Sequence, residues 1–222
     1  MSLIVAVSVT AVTTLTSCGG GDDEPKQQRA QTGATQSGAS KCEPARQPKP
    51  KRVRRRRAPD FRLSADKSYV ATVVTSCGTF KLALDPKQAP RTGGSFVTLV
   101  REGFYDGLTI HRIVTGFLIQ GGDPRGNGTG GPGYTVREAP PRDIVYSEGL
   151  VAMGRGEADP AGTSGSQFFV VTADSNLPPD YALLGRVTKG LDVVHRIEVI
   201  PAEADGRPVQ TVLIKKIGIQ TK

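Results

Sequence analysis

Tyr69-Val70-Ala71-Thr72-Val73-Val74-Thr75 is followed by Ser76-Cys77-Gly78, and then Phe80, Leu82 and Leu84 alternate with Lys81, Ala83 and Asp85. β-Branched and aromatic residues at period two, interrupted by a turn with a glycine, read as a β-hairpin. Short apolar runs of the same kind recur at Leu108–Val114, Phe117–Gln120, Leu150–Met153, Gln167–Thr172, Ala182–Val187 and Val209–Ile219. Gly- and Pro-rich turns separate them. Two other stretches carry helical spacing instead. Pro90 opens the first, with Phe96, Leu99 and Val100 on one face and Gly103 at its end; Thr188 is the expected N-cap of the second, ahead of Leu191, Val194 and Ile197. Gly93 and Gly94 weaken the first helix by about 1 kcal/mol each relative to alanine. Eight short strands with only two helices predict a mainly β fold, a closed eight-stranded antiparallel β-barrel capped by the two helices.

Upstream of Tyr69 the pattern stops. Leu3 to Leu15 is a short apolar run ending in Leu15-Thr16-Ser17-Cys18, followed by three glycines. It is too short to span a bilayer and suits a signal-peptide core. The ending resembles a bacterial lipobox, in which the cysteine is acylated and becomes the mature amino terminus, although Met1-Ser2 lacks the usual basic residue. Residues 1–17 are expected to be a lipoprotein-type signal peptide, with Cys18 lipidated and the chain anchored on the outer face of the cell membrane. Residues 18–65 have almost no large apolar side chains and are expected to be a flexible tether remote from any site; 66–222 form the globular domain.

Lys41–Arg57 holds nine basic residues against one acid, Glu43, so this segment alone accounts for the net charge of +8. An anionic surface polymer or lipid headgroup is its expected partner; export separates it from nucleic acid. Cys42 and Cys77 are a candidate disulfide, which export would preserve, and two free thiols are the other reading.

Familiar catalytic patterns fail. His111 and His195 are far apart and have no partners at metal spacing, so no metal site is expected. No serine sits in a nucleophile elbow. Gly126-Asn127-Gly128-Thr129-Gly130-Gly131 lacks the Gly-Lys-Ser/Thr of a phosphate loop, and Pro132-Gly133 continue it as a loop.

Five blocks stand in order across the domain: Phe104-Tyr105-Asp106-Gly107, His111-Arg112-Ile113-Val114, Gly116 to Asp123 (GFLIQGGD), Gly128-Thr129-Gly130-Gly131 and Gly165-Ser166-Gln167-Phe168-Phe169. Together they resemble the signature of the cyclophilins, barrel-shaped peptidyl-prolyl cis-trans isomerases, over about residues 66–220. The resemblance implies isomerisation of X-Pro bonds in exported polypeptides by a monomer without cofactor. It implies catalytic roles for Arg112, Gln120 and Phe117. Substrate contacts would come from His111, Leu118, Met153, Gly154, Arg155, Gln167, Phe169, Leu177 and Tyr181. Three departures stand out: Gly154-Arg155-Gly156 replaces Ala-Asn-Ala, Asn176 replaces a tryptophan, and Tyr181 a histidine. A module that binds proline segments without turnover, or one that serves mainly as a surface anchor through its arginines, are the alternative functions.

Overall fold

The computed structural model describes residues 42–222. The expected signal peptide, Cys18 and the first part of the expected tether lie outside them. The hairpin is present as β1 (Tyr69–Thr75) and β2 (Gly78–Leu84), with Gly78 at φ +127°. In β1, Tyr69, Ala71, Val73 and Thr75 are buried while the residues between them are half-buried, as period two requires. The chain continues through α1 (Pro90–Arg101), β3 (Leu108–Val114), β4 (Leu118–Gly121), β5 (Val136–Arg137), β6 (Leu150–Met153), β7 (Thr163–Ser164), β8 (Phe168–Val171), β9 (Leu183–Lys189), α2 (Leu191–Glu198) and β10 (Val212–Thr221). Eight strands close an antiparallel barrel in the order β1-β10-β3-β4-β8-β6-β9-β2, and β5 pairs with β7 separately. The latter two have two residues each, too short to leave a periodicity in the sequence.

Phe80, Phe96, Ile110, Ile113, Ile119 and Phe168 belong to the main core. A second apolar cluster, with Leu118, Phe169, Val171, Leu150 and Leu183, is formed by residues from the opposite faces of the same strands. α1 buries Phe96, Val97, Leu99 and Val100, and α2 buries Val193, Val194 and Ile197. Thr188 is not the N-cap of α2. It and Lys189 complete β9, and Gly190 caps the helix at φ +78°. Only glycine fits there, because a Cβ would come within 2.6 Å of the Thr79 carbonyl oxygen.

Residues 42–65 also depart from the expected free tether. They run as an irregular strap along the domain. Cys42 is disulfide-bonded to Cys77 at the β1–β2 turn. Downstream, the Glu43, Lys51 and Arg56 amides donate to Ser76, Pro124 and Gly133 carbonyls, and Leu63 is buried with its amide on Pro90 O. Arg56 also donates to Pro132 O, pairs with Glu102 at 2.6 Å and lies over the Phe104 and Tyr134 rings. The strap explains the paired glycines of α1. A Cβ on Gly94 would meet the Phe61 carbonyl oxygen at 2.1 Å, and one on Gly93 would meet Leu63 at 2.4 Å. Composition suggested disorder because apolar residues are sparse, but backbone hydrogen bonds, two basic stems and one leucine hold the segment.

The Cys42–Cys77 bridge spans 35 residues of sequence, so it contributes about 3–4 kcal/mol in the chain-entropy model. Cys42→Ser should lower the melting temperature by about 6–15 °C, measured by calorimetry in oxidising buffer. A shift under one degree would mean that the bridge constrains nothing.

Candidate active site

Strand register assembles the site. Arg112 on β3 lies opposite Gln120 on β4, Gln120 lies opposite Phe169 on β8, and Phe169 lies opposite Ala152 on β6. Four neighbouring strands thus supply one row of side chains. Arg112 Nη1 donates to Gln120 Oε1 at 3.3 Å. Gln120 Nε2 donates to Gln167 Oε1 at 2.8 Å, and Gln167 Nε2 donates to the Gly128 and Gly130 carbonyls at 2.9 Å each. The buried Asp123 carboxylate fixes that loop by accepting from the Arg125, Asn127 and Gly128 amides. The guanidinium is therefore aimed by a relay of amides with one rigid end, and its remaining donors have no partner among the described residues.

Beside the row is the apolar wall. Leu118 and Phe169 are buried, and Phe117, Leu177 and Tyr181 pack half-buried against them. Phe169 meets the Tyr181 ring edge-on at 5.4 Å, and Tyr181 meets Tyr146 at 6.1 Å. Tyr146 is fully buried, its hydroxyl donates to Tyr181 O, and burial pushes its pKa up to about 12. Gly154 sits against the Gln120 amide, where a Cβ would approach Nε2 to 3.3 Å. His111 is buried beside Arg112; its ring nitrogens have no hydrogen-bond partner among the described residues, and burial holds its pKa below the usual 6.5 despite the attraction of Asp123. It is a neutral wall residue near pH 7.

One expected contact needs correction. Met153 is 1% exposed and packs in the main core, because the alternation that points Ala152 toward Phe169 points its neighbour inward. Arg155 lines a cleft with Gln120, Gly154 and Gln167. Its guanidinium donates to the Gly156, Glu157 and Asp159 carbonyls, pairs with Asp180 at 3.2 Å and covers the Tyr181 ring. It staples its own loop.

Sequence reasoning missed Gly206. Its carbonyl accepts from Ile113 N at 2.7 Å, its φ is +86°, and a Cβ would meet Arg112 Cγ at 2.9 Å. The loop after α2 thus presses bare backbone against the arginine stem. The signal available was one glycine in Asp205-Gly206-Arg207, indistinguishable from any turn glycine. Gly206→Ala should lower kcat about tenfold or more with KM little changed, because it displaces a donor and removes no substrate contact. Unchanged kcat would remove Gly206 from the positioning machinery.

The class is thus a closed eight-stranded antiparallel barrel that holds an arginine beside an aromatic wall on its outer face. The family model described as cyclophilin type peptidyl-prolyl cis-trans isomerase matches residues 69–219, and the chain belongs to that family. A Helicobacter pylori peptidyl-prolyl cis-trans isomerase is 39% identical over 136 residues, covering 60% of this chain and 82% of its own. The probable peptidyl-prolyl cis-trans isomerase B of Mycobacterium tuberculosis is 34% identical over 165 residues, 66% of this chain but only 53% of the relative. A crystal structure of a cyclophilin-type isomerase from Cryptosporidium parvum superposes with a TM-score of 0.64 at 30% identity, covering 69% of this chain and 98% of that one. A second crystal structure of that protein, obtained in the presence of the dipeptide Ala-Pro, gives a TM-score of 0.63. The chain is a cyclophilin-type peptidyl-prolyl cis-trans isomerase.

Proposed function

We propose that this isomerase acts outside the cytoplasm on exported polypeptides, with Arg112 as the group that lowers the barrier and Cys18 as the lipid anchor. An X-Pro amide rotates over about 18–20 kcal/mol because resonance must be lost. In the twisted state the prolyl nitrogen recovers its lone pair. A fixed cation donor beside that nitrogen stabilises the twisted form more than either planar isomer, which is what acceleration requires. The wall of Phe117, Leu118 and Phe169 holds the ring and excludes water, strengthening the contact. The observation that carries this reading is the amide relay from Gly128 and Gly130 through Gln167 and Gln120 to Arg112.

The Cys42–Cys77 bridge supports an oxidising compartment, and Leu15–Cys18 supports the anchor. Arg46, Lys49, Arg52, Arg54 and Arg55 are exposed and form no ion pair among the described residues, which supports attraction to an anionic surface polymer or headgroup layer. Mass spectrometry of the protein from cell membranes should find a diacylated Cys18 as mature terminus. An unmodified Cys18, or a soluble chain, would overturn the anchor and leave the isomerase reading intact.

A further inference from the structure

On the Arg112 side of the site lies a cleft of about 720 Å³, lined by Arg112 and Gln120 from the barrel, Gln47 from the strap, and Pro208, Val209 and Thr211 from the segment leading into β10. That volume is in the range of ligand sites. The strap is fixed on both sides of Gln47, by the Cys42–Cys77 bridge and by the Lys51 amide on Pro124 O. Gln47 Oε1 accepts from the Thr211 hydroxyl at 3.3 Å, and its Nε2 lies over Gly126, where an added Cβ would come within 3.3 Å. The amide is thereby held at the cleft with a donor exposed. Val209 is 64% exposed, an unusual setting for a large apolar side chain beside a catalytic arginine. Arg207 pairs with Asp205 at 3.0 Å and with Glu203 at 3.6 Å, and together with Arg112 the two arginines of the cleft balance its two carboxylates. The lining therefore offers an amide, a hydroxyl and an apolar patch, chemistry suited to a peptide group followed by an apolar side chain.

We propose that this cleft is a second substrate subsite, built by the strap, which takes the polypeptide on one side of the proline. The Gln47 amide binds its backbone, and Val209 with Pro208 receives an apolar side chain. The inference rests on Arg112 marking the X-Pro amide that is twisted, because a chain whose prolyl amide reaches Arg112 has its neighbouring residues within a few ångström of the cleft.

The test is kcat/KM of the full chain on a short X-Pro peptide and on the same peptide extended on either side with alanine or leucine. Leucine extension on one side should raise kcat/KM about fivefold over the short peptide. Gln47→Ala and Val209→Asp should each remove most of that gain, whereas Arg57→Ala, an exposed strap variant outside the cleft, should retain it. Length-independent kcat/KM in the parent, or the full gain in both cleft variants, would overturn the subsite while leaving the isomerase intact. No activity on the short peptide would instead overturn the role given to Arg112.

Discussion

Arg112→Ala should lose about 10²–10³-fold in kcat/KM for X-Pro isomerisation while keeping the fold and melting temperature of the parent. The magnitude is that of removing one preorganised donor from a transition state. The side chain is half-buried, and its one hydrogen bond among the described residues is the 3.3 Å contact with Gln120, so truncation costs little stability. Its contribution lies in the twisted amide, which exists only transiently, and the loss should therefore fall on kcat. Arg112→Lys should recover only part of the rate. An ammonium keeps the charge but lacks the planar fork that Gln120 orients. Peptide binding measured separately should change less than tenfold in the alanine variant. A variant with parental kcat would sink the mechanism, and one that lost binding and rate equally would make Arg112 a general substrate contact.

The barrel was legible in the sequence because each of its eight strands carries a period-two or continuous apolar run, whereas the two-residue β5 and β7 outside it do not. The Arg112, Gln120 and Phe169 row followed from the blocks around it. Less legible were features that depend on backbone meeting side chain. Gly206 touches Arg112 across more than ninety residues, and Gly93 and Gly94 are small because Leu63 and Phe61 lie over them; no local pattern encodes either contact. Met153 was misplaced because a block match is blind to which face a strand residue takes. The strap was misread for a related reason. Lys51 and Arg56 look like solvated charge in a basic run, yet they cross to carbonyls and to Glu102 on the domain.

Glu198 is a further product of long-range assembly, and removing it should cost stability and rate together. It closes α2, is 7% exposed, and accepts from the Gly116 amide at 2.7 Å and from the Thr172 hydroxyl, with His195 Nδ1 at 3.1 Å. Gly116 precedes Phe117 in the β3–β4 turn, and Thr172 N donates to Phe117 O. One carboxylate therefore ties both segments that flank a residue of the prolyl wall. Burial pushes the Glu198 pKa up, but the Thr172, His195 and Gly116 hydrogen bonds outweigh it and hold the group below its ordinary 4.5. A depressed folded pKa means that the charged form stabilises the fold. That contribution is full above about pH 4.5, where the unfolded chain is also ionised, and is lost as pH falls through the folded value. Glu198→Ala removes the charged acceptor of the buried Thr172 hydroxyl and of the part-buried Gly116 amide, which costs about 2–4 kcal/mol near pH 7, or about 4–16 °C in melting temperature. Denaturant titrations of parent and variant should show their difference in stability shrinking as pH is lowered below 4.5. At neutral pH the variant should also have a raised KM, because the Phe117 turn is no longer fixed. A stability difference that stays constant from about pH 6 to pH 3 would mean that the carboxylate charge is not what holds the turn.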